Sequence, residues 1–304
     1  MKIRSAPRGL KRALAGLLLA LGCLPVAPVQ AADAKLELPP FASDGKQRVG
    51  KFIWADLVTD DAAAARAFYA SLFGWTFAEH GDFSLASKGG QNVAGIIKRP
   101  RPTDRPAKPR WICYVSVDNI EVAQKTILVM GGKVMIAPRA IPKRGEQAIF
   151  ADAEGAVFGI VKSSSGDPQD FLADPGEWIW IQLFSRDARK ATEFYRTLAG
   201  YQVTDYTQAR RVLSFMLSSA GAMRAAVGTI PAEHPEVNPT WLPFLRVENL
   251  DETLAKTKQA GGTVLLEPAR DLYGHPLAII ADPTGASVGI LQWKTEAQAG
   301  AGTP

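Results

Sequence analysis

Two cysteines in 304 residues leave little room for disulfide chemistry. Cys23 lies near the N-terminus and Cys113 in the body, so a chain cut after Cys23 keeps one thiol and no internal disulfide. Its stability must then come from a packed core. Only three histidines, His80, His234 and His275, are available for imidazole chemistry. No acidic residue precedes Asp33, and no apolar run reaches the roughly 20 residues that span a bilayer core.

What stands in the first thirty residues has an order of its own. Lys2, Arg4, Arg8, Lys11 and Arg12 precede the apolar run Ala13–Gly22, followed by Pro25, Pro28 and the small-residue segment Val29-Gln30-Ala31. That order predicts a secretory signal peptide over 1–32 and a periplasmic or secreted protein. Ala20-Leu21-Gly22-Cys23 resembles a bacterial lipobox with Ala20 where Leu is usual, so a lipoprotein anchored at Cys23 is the alternative. A membrane is expected as a partner only in that case. Five of the 35 Lys and Arg lie in this leader, which leaves 30 against 30 Asp and Glu. The pI of 9.2 therefore reflects the leader, and no nucleic-acid partner is expected.

The body, at 47% hydrophobic and 21% charged residues over the whole chain, reads as about two globular domains, and it repeats. Residues 54–77 return as 180–203 with nine identities, among them Trp54/Trp180, Asp61/Asp187, Phe68-Tyr69/Phe194-Tyr195 and Gly74/Gly200. A second segment returns at an offset of 130: Trp111, Asn119, Gly131-Gly132, Asp152, Gly155 and Gly159 reappear as Trp241, Asn249, Gly261-Gly262, Asp282, Gly285 and Gly289. The order is A, B, A′, B′.

In module A, alternation over Phe52–Thr59 predicts a strand, and Ala65, Phe68, Tyr69 and Leu72 mark one apolar helix face. Asp60 or Asp61 can cap that helix and Gly74 can end it. Asp-x-x-Gly at 152–155 and 282–285 predicts hairpin turns. Domains are expected over 50–162 and 176–293, with a linker at 163–175 and a disordered tail at 294–304.

This pattern resembles the vicinal oxygen chelate superfamily of glyoxalase I, bleomycin-resistance proteins and extradiol dioxygenases. The resemblance implies an α+β fold of four βαβββ modules paired into two domains, each enclosing a cleft where many members hold a divalent metal through His, Gln or Glu. Carried onto this chain, the family's ligand positions fall on Trp54 and Trp180, on Ile112 and Leu242 (or, slipped by one, Trp111 and Trp241), and on Gly159 and Gly289. None of these side chains coordinates a metal well. No cofactor is expected. The three histidines lie elsewhere, in segments read as solvated loops; a relocated metal site using Glu233-His234 or His275 is the competing possibility.

With period two, Trp54, Asp56 and Val58 with Ile112, Tyr114 and Ser116 should line the first cleft, and Trp180, Gln182 and Phe184 with Leu242, Phe244 and Arg246 the second. Trp54, Asp56, Tyr114, Trp180, Gln182, Phe244 and Arg246 are the candidate ligand contacts. Asp56 is either a base or ligand contact with a raised pKa, or a carboxylate held by a structural hydrogen bond. Cys113 falls on the opposite phase, as a buried thiol. The expected function is binding of a small apolar or aromatic molecule in a metal-free cleft, by a monomer or homodimer. The alternatives are a metal-independent lyase or isomerase with Asp56 and Tyr114 as acid and base, a metal-dependent glyoxalase or dioxygenase with relocated ligands, and a structural protein with filled clefts.

Overall fold

The computed structural model describes residues 38–100, 108–210, 213–271 and 273–293. The leader, Cys23 and the tail expected at 294–304 lie outside the described residues. Module A comprises β1 (Phe52–Thr59), α1 (Ala62–Phe73), β2 (Thr76–His80), β3 (Phe83–Lys88) and β4 (Gln91–Lys98); module B comprises β5 (Arg110–Ser116), α2 (Ile120–Val129), β6 (Lys133–Ile141), β7 (Gly145–Ala151) and β8 (Val157–Ser163). Module A′ runs through β9 (Trp178–Ser185), α3 (Ala188–Ala199), β10 (Gln202–Asp205), a one-turn α4 (Thr207–Arg210), β11 (Ser214–Ser219) and β12 (Ala222–Thr229). Module B′ adds β13 (Thr240–Val247), α5 (Leu250–Gln259), β14 (Thr263–Arg270), β15 (Pro276–Ala281) and β16 (Ser287–Gln292). Apart from α4, this is βαβββ four times over.

The local chemistry of the helix ends matches the sequence reading. Asp61 and Asp187 cap α1 and α3 by accepting from the N–H groups of Ala64 and Lys190, and Gly74 and Gly200 close them in the left-handed conformation at φ 67° and 66°. Asn119 and Asn249 cap α2 and α5 in the same way.

Each domain is one eight-stranded sheet, ordered β2-β3-β4-β1-β5-β8-β7-β6 in the first and β10-β11-β12-β9-β13-β16-β15-β14 in the second. The antiparallel pairs β1–β5 and β9–β13 join the two modules of each sheet, and parallel pairs flank them. β1 is buried along nearly its whole length because both its faces are covered. Ala55, Leu57, Cys113 and Val115 face a core shared by all four long helices, whereas Trp54, Ile112 and Tyr114 face a separate cluster on the other side.

The shared core is cross-braced between domains. The Trp111 indole donates to the Tyr69 hydroxyl (2.9 Å), which donates to Asp282 (3.3 Å); the Trp241 indole donates to Tyr195 (2.8 Å), which donates to Asp152 (2.9 Å). Asp152 and Asp282 also accept backbone N–H groups within their own Asp-x-x-Gly turns. Burial raises the pKa of both aspartates and of both tyrosines. From Leu36 onward the chain forms one compact unit.

Candidate functional site

The strand registers place three residues side by side across the floor of each cup. In the first, Trp54 pairs with Tyr114 and Tyr114 with Gly159; in the second, Trp180 pairs with Phe244 and Phe244 with Gly289. A Cβ at Gly159 would collide with the Tyr114 ring, and one at Gly289 with the Phe244 ring. A ring thus occupies the space that a side chain on β8 or β16 would need, which is why glycine stands there. The residues beside these glycines are therefore Tyr114 and Phe244, both among the expected cleft residues.

The first cup is closed by its own chain. Leu38 and Phe41 are buried in it, with the Phe41 ring edge-on to Trp54 at 5.9 Å. The Arg144 guanidinium lies over both rings, 4.3 Å from Phe41 and 3.8 Å from Trp54, and its Nε donates to the Pro39 carbonyl at 2.9 Å. Ser165 holds the same strap by donating to the Phe41 carbonyl. Beneath it, Asp56 accepts from the Trp54 indole at 2.7 Å and from the Tyr114 hydroxyl. Burial raises its pKa against the pull of these two hydrogen bonds and of Arg144. Asp56 is 5% and Tyr114 1% exposed, so neither reaches solvent with the strap in place.

The second cup has the same floor, and no strap covers it among the described residues. It holds a cavity of about 300 Å³ bordered by Trp180, Gln182, Met216, Phe244, Leu277 and Trp293. Two substitutions between the repeats change its polarity: Gln182 replaces Asp56, and Phe244 replaces Tyr114 together with its hydroxyl. Among the described residues neither the Gln182 amide nor the Trp180 indole N–H has a hydrogen-bond partner.

At the mouth, Tyr206 and Tyr273 hydrogen-bond each other, and the exposed linker residues Phe171 and Leu172 extend the rim. Trp293 stacks on His275 at 4.0 Å; His275 Nδ1 lies 2.9 Å from Asp271, which also accepts the N–H groups of Tyr273 and His275. A larger groove of about 750 Å³ shares Trp180, Phe171 and Met223 with this cup and runs past Trp178 to Trp54 and Arg144.

The glyoxalase/bleomycin resistance protein/dioxygenase family model matches residues 51–160 and again 179–290, one match for each cup. The chain belongs to that superfamily. Its relatives include "Putative glyoxylase CFP32" of Mycobacterium tuberculosis, 29% identical over 81% of this chain and 95% of that protein. Another is the anthracycline biosynthesis protein DnrV of Streptomyces peucetius, 27% identical over 82% of this chain and 95% of its own length. Among solved structures, a Mn(II)-bound glyoxalase from Novosphingobium aromaticivorans matches at TM-score 0.58 with 18% identity, covering 81% of this chain and 82% of that one. Homoprotocatechuate 2,3-dioxygenase from Brevibacterium fuscum, in complex with 3,4-dihydroxyphenylacetate, matches at TM-score 0.59 with 13% identity, covering 85% of both chains. At these identities the structures show the fold.

The residues of this superfamily member do not fit the divalent metal that the fold accommodates elsewhere. A metal centre needs several N, O or S donors converging about 2 Å from one point. Here each row offers an indole, a phenyl or phenol ring and a bare glycine, and the one phenol is engaged with Asp56. Among the described residues no three His, Cys, Asp or Glu side chains converge anywhere. His80 and His234 are exposed, and His234 contacts only Glu236 among such groups.

Of the sequence-derived candidates, Trp54, Asp56 and Tyr114 meet in the closed cup, and Trp180, Gln182 and Phe244 meet in the open one. Two others face inward but are taken up by support. Arg246 is 4% exposed and donates to the carbonyls of Ala173 at 2.7 Å and Trp293 at 3.1 Å, so it ties the linker to the end of β16 rather than lining the cavity. Ser116 donates to Asp167 of the linker at 2.6 Å. Cys113 lies on the helix-facing side, where burial pushes its thiol far above the usual range.

The strap, Arg144, the two methionines and the mouth tyrosines escape sequence reasoning. The strap, Arg144 and the mouth tyrosines come from segments between or before the strands and helices, whereas Met216 and Met223 stand on β11 and β12, whose part in the cup shows only once the sheet is assembled. The glycines at 159 and 289 in mid-strand were the one available signal that a ring approaches the backbone there.

Proposed function

We propose that this is an exported, glyoxalase-like binding protein that holds a small apolar or aromatic molecule in its second cup without a metal. The observation that carries this reading is the contrast between two copies of one floor: the first is sealed by Leu38 and Phe41, and the second is an aromatic and methionine-lined cavity of about 300 Å³. That volume sits at the low end of small-molecule sites, which are mostly apolar with a few placed polar groups. Methionines suit such a wall because their side chains adapt to the shape of the guest. Export rests on the basic, apolar and small-residue order of the first 32 residues.

Acid–base chemistry by Asp56 and Tyr114 is the weaker reading, since no substrate reaches them beneath the strap. In the second repeat, Gln182 and Phe244 cannot replace them, because an amide and a phenyl ring exchange no protons near neutral pH.

The test is thermal unfolding of chelator-treated protein against a panel of planar aromatic compounds. A bound compound at a hundred times its Kd should raise Tm by about 5 °C or more. Ala226→Leu, which fills the cup floor, should abolish the rise. A rise that requires added divalent metal, or one that survives in Ala226→Leu, would refute the proposal.

A further inference from the structure

The two cups differ in what their polar atoms are doing, and that difference specifies a ligand class. In the first cup the buried carboxylate of Asp56 is answered from within the chain, by the Trp54 indole and the Tyr114 hydroxyl. In the second, Gln182 holds the same place on β9, directly across from Ala226 on β12. Its amide lies over Gly228, close enough that a Cβ there would stand 3.0 Å from Gln182 Nε2. Ser214 of β11 is paired with Gly228 in the antiparallel register, so its hydroxyl is on the same face, on the far side of that glycine.

Ser214 and Gln182 both border the cavity, and among the described residues neither the Ser214 hydroxyl nor the Gln182 amide makes a hydrogen bond. Phe244 has lost the hydroxyl that its counterpart Tyr114 gives to Asp56. A half-buried amide and a hydroxyl facing an apolar cavity need a partner that the chain does not supply.

The charges at the site are, by contrast, accounted for. Arg246 is turned onto backbone carbonyls, and Asp271 at the rim holds His275 and two backbone N–H groups. Among the described residues, the cup floor therefore offers donors and acceptors and no ionic partner.

From this we infer that the second cup selects neutral planar aromatic molecules carrying a phenolic hydroxyl or carbonyl at one edge, which Gln182 and Ser214 bind above Gly228. The inference rests on the second cup being a ligand site, and it adds the polar group that such a ligand must carry. A phenol can donate to the Gln182 carbonyl oxygen and accept from the Ser214 hydroxyl. A carboxylate is disfavoured, because among the described residues lining the cup it would be desolvated with no cation to meet it and with Asp271 at the mouth.

The experiment is titration of the full-length protein with naphthalene, 2-naphthol and 2-naphthoate, followed by quenching of tryptophan fluorescence. The wild type should bind 2-naphthol about 5- to 10-fold more tightly than naphthalene, the gain of one or two net hydrogen bonds, and 2-naphthoate more weakly than either. Gln182→Leu should bring the naphthol-to-naphthalene ratio to about one, and Ser214→Ala should reduce that ratio partly. Each variant's circular dichroism and melting curve establish that it is folded, and the ratio is read within one variant, so a general loss of stability does not mimic the result. Naphthalene binding with no preference for naphthol, or a preference unmoved in both variants, overturns the anchor and leaves the cup as an apolar site. Failure of all three probes to bind overturns the cup as a site for aromatic ligands and the anchor with it.

Discussion

The first and second cups began as one design and now differ in occupancy. Both keep the row of tryptophan, aromatic ring and glycine across β1, β5 and β8 or their repeats. In the first, the chain supplies every partner: Phe41 for Trp54, Tyr114 for Asp56, Arg144 for both rings. In the second, no strap is present among the described residues, and Gln182 and Ser214 border a cavity. The comparison teaches that one floor repeated within a polypeptide can be packed as interior in one copy and left bordering a cavity in the other.

Removing the strap should have the largest effect. A chain shortened to begin at Ala42 loses the buried side chains of Leu38 and Phe41, each worth about 2 kcal/mol, together with the Arg144 contacts. Its unfolding free energy should drop by about 4 kcal/mol, and it should bind a second equivalent of an apolar dye, measured by urea unfolding and by stoichiometric titration. A truncated chain as stable as the parent, or one with unchanged dye stoichiometry, would mean that the strap only rests on the surface.

Next in size is a matched pair of glycine substitutions. Gly159→Ala pushes a methyl into the Tyr114 ring, which is 1% exposed and tied to Asp56, and should cost about 2 to 3 kcal/mol. Gly289→Ala pushes the same methyl into the Phe244 ring, which borders the open cavity and can give way, so the cost should stay near 1 kcal/mol. Equal costs in chemical denaturation would erase the distinction between a packed and an open floor.

The smallest effect concerns protons. Burial holds the Asp56 carboxyl above its ordinary value, so the folded chain favours its protonated form. The stability this gives is fully present below the unfolded value of about 3.9 and is lost as pH rises through the higher folded value. Asp56→Asn cannot ionise, so the stability of the wild type relative to the variant should decline between pH 3 and pH 7. The buried Asp152 and Asp282 shift in the same direction in both proteins and cancel in the difference. A difference that is flat across that range, or that grows with pH, would show that Trp54, Tyr114 and Arg144 stabilise the charged form after all.

The architecture was legible because repetition and period are written locally. Nine identities at one spacing, helix caps at Asp61 and Asp187, and terminators at Gly74 and Gly200 each act within a few residues of where they appear. The inward phase of Trp54, Asp56, Trp180 and Gln182 was legible for the same reason, since a strand alternates faces regardless of what surrounds it. What could not be read was who meets whom across the chain. Arg246 reads as a charged cleft residue until the carbonyls of Ala173 and Trp293 accept its hydrogen bonds. Leu38 and Phe41 belong to a short segment outside every repeat, and only the folded sheet shows the space they fill. That Tyr114 rather than Ile112 stands beside Gly159 also shows only in the assembled sheet, because pairing register depends on the neighbouring strand.

The crossed tyrosine–aspartate bonds carry a consequence for how such a protein can change. Tyr69 of the first half is completed by Asp282 of the second, and Tyr195 of the second by Asp152 of the first. Neither half closes its own interior, so a gene cut between them would yield two pieces with exposed aromatic helices and stranded carboxyl groups. Duplication here is no longer a spare copy awaiting reuse, because each half holds the acceptor that completes the other's buried tyrosine.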